Sequence, residues 1–258
     1  MKNNETLGIK NLLFLGLGLA AAIGLKYYYR RAGADDLLWI LQPTTSLVQG
    51  ITGMDFVHEP DLGFVSGNRK IIIAPACAGM NFLIIAFCMA YFSFLHWFRS
   101  GKGKALWLCM SAAGAYGMTL LVNSLRITVS IYTYRADIQY GWLTPERIHR
   151  IQGVIIYFTF LLLFYWLSNK VLKHELKSGD KLNVENQESK RMGFAVQNAI
   201  PLFWYGVVAL GVPLLNVFGQ ERSQWFWEHC GIVVGICVLL LMILFLMRWL
   251  WSRFSHNL

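Results

Sequence analysis

The sequence predicts an all-α polytopic integral membrane protein with about six transmembrane helices. Both termini lie on the cytoplasmic side, and a short external hairpin with an interfacial segment precedes the second helix. Three observations carry this expectation. Apolar residues make up 56% of the 258-residue chain and charged residues only 14%, the balance of a membrane protein rather than a water-soluble domain. Apolar runs long enough to cross a hydrocarbon core of ~30 Å recur along the chain. The lysines and arginines gather at the ends of those runs, biased toward one side, as the positive-inside rule requires.

The first run, about Ile9 to Lys26, is rich in glycine and alanine and follows Lys2 and Lys10. The small residues in LAAAIG would suit a cleavable signal peptide. The cluster Lys26, Arg30 and Arg31 just downstream favours an uncleaved anchor instead. Residues 27–76 form the longest stretch that does not span. Within it LLWILQPTTSLVQGI is too short, and too interrupted by Pro43 and polar residues, to cross. It reads as an amphipathic or re-entrant piece in the interface. FVHEPDLGFVSGNRKIIIAP reads as two short strands around the turn SGN, the second containing Ile71–Ile73.

The second span runs from about Ala76 to Phe98 and ends in RSGKGK; the third covers about Ala105–Tyr132 and the fourth about Ile148–Lys170. The polar stretch 170–191 separates these from a fifth span, about Phe194–Phe218 with Pro201 and Pro213, and a sixth, about Gly231–Trp251. The chain thus divides into a membrane core of residues 1–169, a cytoplasmic linker 170–193 and a C-terminal two-helix membrane hairpin 194–258. Lys2, Lys10, Arg99, Lys102, Lys104, the lysines of 170–191, Arg248 and Arg253 then face the cytoplasm. The outer side carries Asp35, Asp36, Asp55, Glu59, Asp61, Asp137, Glu146, Glu221 and Glu228, with Arg126, Arg135, Arg147 and Arg150 among them.

The net charge of +9 does not point to nucleic acid. The basic residues flank apolar runs, where they orient the chain and meet anionic lipid, and no basic patch is interleaved with aromatics. The five cysteines form no CxxC pair. Cys88, Cys109 and Cys237 read as small core hydrophobes. Cys77 and Cys230 both lie near the outer face, and the sequence alone does not establish a bridge between them. His58 and His229 also lie outside, but no HExxH spacing accompanies them, so no metal site is assigned.

Three residues stand at one depth. Lys104 to Arg126 is 22 residues, Arg99 back to Cys77 is 22, and Lys170 back to His149 is 21. At ~1.5 Å per residue each path is roughly 31–33 Å, about one hydrocarbon thickness. A thiol, a cation and an imidazole at the outer ends of three consecutive helices suggest a cysteine active site. Pro75 suits the first position of a helix. Cys77 would then fall in the first turn, where the partial positive charge of a helix start favours an anionic sulfur. Gly79 leaves room for close approach of a backbone or substrate. Asn123 lies three residues before Arg126, on the same helical face, so the two side chains together suit an oxyanion or a thiolate. His149 has Gly153 one turn later, and imidazole ordinarily exchanges protons near neutral pH.

The motifs ACAGMNF around Cys77, NSLRI around Arg126 and HRIQGVIIYF around His149 resemble the exosortase/archaeosortase family, polytopic prokaryotic membrane cysteine transpeptidases. The resemblance covers about residues 60–165 and departs at Ala78, where many members carry serine. It implies a nucleophile at Cys77, an essential cation at Arg126 and a proton-transfer residue at His149, with no cofactor. It also implies a membrane-anchored protein substrate with a C-terminal sorting signal, cleaved at the outer face of the cytoplasmic membrane through a thioester. The acceptor, lipid or glycan, stays open. Two other readings stand beside it: a small-solute transporter, disfavoured because the candidate residues gather at one face, and a non-catalytic assembly subunit.

Overall fold

The computed structural model describes residues 2–67, 69–136, 141, 144–177, 194–211 and 224–254. The chain opens with α1, Lys2–Arg31. Its glycine-rich side meets α3 (Met80–Phe94), where Gly18 abuts the Tyr91 ring too closely for any Cβ to fit. The Tyr91 hydroxyl donates to the Phe14 carbonyl at 2.7 Å.

A 3-10 turn, Asp35–Leu37, leads into α2, Leu38–Thr52. At 15 residues α2 is about 22 Å long, short of a full crossing. Its buried residues Ile40, Leu41, Thr44, Thr45 and Val48 recur at helical spacing and form one covered face. Pro43 lies inside this helix. Having no N–H, it leaves the Trp39 carbonyl one turn earlier without its helical donor. The Tyr116 hydroxyl of α4 (Gly101–Arg135) donates to that carbonyl at 2.8 Å, and the two rings stack with centroids 5.7 Å apart. Gly53, with φ 66°, closes α2 by donating to the Gln49 carbonyl.

Three strands follow, where the sequence suggested two. β1 (Phe56–Glu59), β2 (Gly63–Ser66) and β3 (Ile72–Ile73) form an antiparallel sheet in that order, with Val57 opposite Val65 and Phe64 opposite Ile73. The extra strand arises because Pro60 and Asp61, the latter at φ 64°, turn the chain between β1 and β2. Ile73 and Phe56 are buried against the helices, and β3 runs directly into the segment bearing Cys77.

α3 is the axis of the bundle: 83% of its apolar window is buried, against 11% for that of α1. It packs against α1, α4, α5 (Pro145–Lys177) and α6 (Phe194–Gly206). At its C-terminal end Phe94 stacks on Tyr165 and meets Trp107 edge-on. Ser100 caps α4 by accepting the Gly103 N–H at 3.0 Å. α5 continues to Lys177, into the segment expected as polar linker. α6 ends in a π turn, Val207–Gly211, and α7, Gln224–Phe254, completes the described chain. Among the described residues five helices are long and apolar enough to cross a membrane; Asn198–Gly211 is a shorter apolar stretch. Residues 212–218 of the expected fifth span lie outside the described ones. All five cysteines are free thiols.

Candidate active site

Cys77 does not sit in the first turn of α3. Pro75 opens a separate 3-10 turn, Pro75–Cys77, closed by the Cys77 N–H on the Ala74 carbonyl and the Ala78 N–H on the Pro75 carbonyl, at 2.8 and 3.0 Å. Gly79 then adopts a left-handed conformation with φ 72°, and α3 begins at Met80. The reversed residue breaks the helical path, which is why the sulfur precedes the helix instead of riding on it. What approaches Gly79 is a side chain: a Cβ there would lie 2.9 Å from Asn123 Cγ.

Asn123, fully buried on α4, ties this turn down. Its Nδ2–H donates to the Cys77 carbonyl at 2.5 Å, and its Oδ1 accepts the Tyr157 hydroxyl of α5 at 2.8 Å. Tyr157 in turn accepts an N–H from Arg126 Nη1 at 3.4 Å, and its ring stacks on Phe82.

Arg126 reaches His149 directly, with Nη2 2.7 Å from His149 Nε2. A guanidinium can only donate, so Nε2 is the acceptor and the ring proton sits on Nδ1. Nδ1–H then donates to Ser130 Oγ at 2.9 Å, and the Ser130 hydroxyl donates to the Arg126 carbonyl at 2.8 Å. The donors and acceptors close without conflict around a neutral imidazole. Arg126 Nε is buried without a protein partner and lies against Gly153, where a Cβ would come within 3.1 Å.

The structure therefore gathers Asn123, Arg126 and His149 with the backbone of Cys77 at one level of three consecutive helices. Two members of the network were not singled out from sequence: Tyr157 and Ser130. The signal was there as helical spacing. Asn123, Arg126 and Ser130 follow an i, i+3, i+7 stripe on α4, while His149, Gly153 and Tyr157 follow i, i+4, i+8 on α5. His58 instead pairs with Asp35 at 3.0 Å. Among the described residues no cluster of metal-ligating side chains forms.

Beside His149 on α5, Arg147 makes a two-pronged contact with Glu228 of α7, Nε to Oε1 at 2.7 Å and Nη2 to Oε2 at 3.2 Å. Arg150 Nη2 lies 3.7 Å from the same Oε1. The hydrogen bond from Arg147 holds the Glu228 carboxyl below the usual carboxylate range.

A family model described as transmembrane exosortase matches residues 11–166. The match takes in α1 through most of α5 and every site residue above except Glu228, and it extends well beyond the motif-bearing stretch 60–165 toward the N-terminus. No curated protein and no solved structure matches the chain.

Proposed function

The chain belongs to the transmembrane exosortase family, and from that premise we propose that it is a membrane-embedded cysteine transpeptidase cleaving C-terminal sorting signals of exported proteins. Membership supplies a membrane protease or transpeptidase activity in general. The assignment of roles rests on one observation: Asn123 binds the Cys77 carbonyl while its helix neighbour Arg126 binds His149.

Cys77 is the nucleophile. His149 Nε2, released from Arg126, takes the thiol proton, and the sulfur attacks the scissile carbonyl carbon. Arg126 N–H groups stabilise the oxyanion that develops there. The carbon–nitrogen bond breaks as His149 returns the proton to the leaving amine, giving a thioester on Cys77. An amine on a lipid or glycan, or water, then loses a proton to His149 and displaces the sulfur. Asn123 and Gly79 position the thiol-bearing turn.

In this reading both termini face the cytoplasm, and the two C-terminal spans expected from the sequence bring the count to six. The basic residues flanking the apolar runs support that orientation. The substrate ends in a short motif, an apolar helix and a basic tail, so that its helix docks laterally and delivers the motif to the outer face. The membrane is the cytoplasmic membrane of a prokaryote.

The test is Cys77→Ala in cells that also make an exported protein with such a tail. Full-length precursor should accumulate. Continued cleavage at the same site would refute the cysteine mechanism.

A further inference from the structure

His149 is the fifth residue of α5, directly after the first turn, in which the Ile148 N–H donates to the Thr144 carbonyl at 2.9 Å. First turns are the least secure part of a helix, because their N–H groups lack intrahelical acceptors. The imidazole must nevertheless hold a fixed distance from Arg126. Successive residues on a helix are rotated by about 100°, so Arg147 and Arg150 share a face that His149 does not. His149 points to α4, where Arg126 and Ser130 hold it. Arg147 and Arg150 meet Glu228 of α7. The turn is gripped from two sides.

Two arginines at this place call for a partner. The start of a helix carries partial positive charge, which disfavours cations within the first turn. Among the described residues Glu228 contacts both guanidiniums, and its contact with Arg147 uses both of its oxygens, the geometry that fixes orientation as well as distance. The pair is partly exposed, so its contribution to overall stability is small. Its effect lies in where it holds the backbone.

We infer that Glu228 is a positioning residue for His149, and that the C-terminal helix α7, outside the span of the family match, is a working part of the reaction centre. This rests on the proposed role of His149 in proton transfer. α7 also packs along α5 and touches α6. Glu228 is the link placed beside the imidazole.

The experiment uses the full chain in lipid nanodiscs. The probe is the C-terminal tail of an exported protein that the same cells process, and rates are normalised to folded protein measured by gel filtration. Glu228→Gln should lower kcat by roughly tenfold to a hundredfold, the scale expected when a proton carrier is misplaced by about 1 Å, while KM stays unchanged. Glu228→Asp should recover part of the loss, and the exchange Arg147→Glu with Glu228→Arg should recover more than either single change. An unchanged kcat in Glu228→Gln, or a loss that follows the folded amount alone, overturns the inference. Cys77→Ala and His149→Ala run in parallel. If they still turn over, the proposed chemistry has failed; if they are inert while Glu228→Gln is fully active, only the positioning role has failed.

Discussion

Arg126 Nη2 and His149 Nε2 are 2.7 Å apart, and that contact dictates the tautomer of the imidazole. Because the guanidinium occupies Nε2, the resting histidine is neutral and its proton faces Ser130. In the proposed reaction, the nitrogen that accepts a proton is thus masked at rest by the same cation that stabilises the developing charge.

Arg126→Lys keeps the charge and loses the planar fork that reaches both Tyr157 and His149. Processing should fall by about 10²–10³, the cost of losing one oxyanion donor. Pulse-chase conversion of precursor to product measures it.

Tyr157→Phe preserves the stacking on Phe82 but removes the hydroxyl between Asn123 and Arg126. A lost donor with a buried acceptor left behind costs about 1–3 kcal/mol. A loss of roughly fivefold to a hundredfold in turnover is expected. Turnover in nanodiscs, compared with thermal stability of the same preparation, separates the catalytic from the structural share.

Gly79→Ala puts a side chain on a left-handed residue and drives its Cβ to 2.9 Å from Asn123 Cγ. The backbone alone costs about 1–2 kcal/mol. Asn123 must also move, carrying its hydrogen bond to the Cys77 carbonyl with it. Both thermal stability and the rate at which iodoacetamide alkylates Cys77 should change. An alanine variant with native values for both would show that the turn is not set by this contact.

The Glu228 carboxyl is held below its ordinary value of 4.5 by the Arg147 hydrogen bond. A depressed acid stabilises the fold fully above that ordinary value and loses its contribution as pH falls through the lower folded-state value. The melting temperature of the wild type should therefore exceed that of Glu228→Gln at neutral pH. The two should converge as pH falls through that lower folded-state value. A difference that grows on acidification would contradict the assignment.

Much of the site was legible in the sequence, because spans of fixed length and basic end markers convert residue counts into depth. Those counts set Cys77, Arg126 and His149 at one expected depth; the structure joins Arg126 to His149 and Asn123 to the Cys77 carbonyl. The local pattern also marked the stretch that forms α2 as too short to span, an amphipathic or re-entrant piece. Other features were hidden for specific reasons. Two strands were read as one because Pro60 and Asp61 turn the chain within an otherwise extended stretch. The break between Cys77 and α3 depends on the sign of one glycine torsion, which composition does not encode. The contact between Arg147 and Glu228 joins residues 81 positions apart, and no local periodicity announces a partner at that distance. Tyr157 looked like one more aromatic in an apolar run until α4 supplied its amide and guanidinium partners.

The left-handed joint at Gly79 uncouples the thiol from the span that follows it. Transmembrane helices adapt to lipid mismatch by tilting and swivelling. A sulfur fixed rigidly on α3 would swing with each such adjustment. Here the amide of Asn123 tethers the cysteine turn to α4, which also bears Arg126. If the proposed roles hold, the cysteine turn and the guanidinium are expected to move together when the bilayer thins or thickens, making turnover insensitive to the composition of the membrane around them.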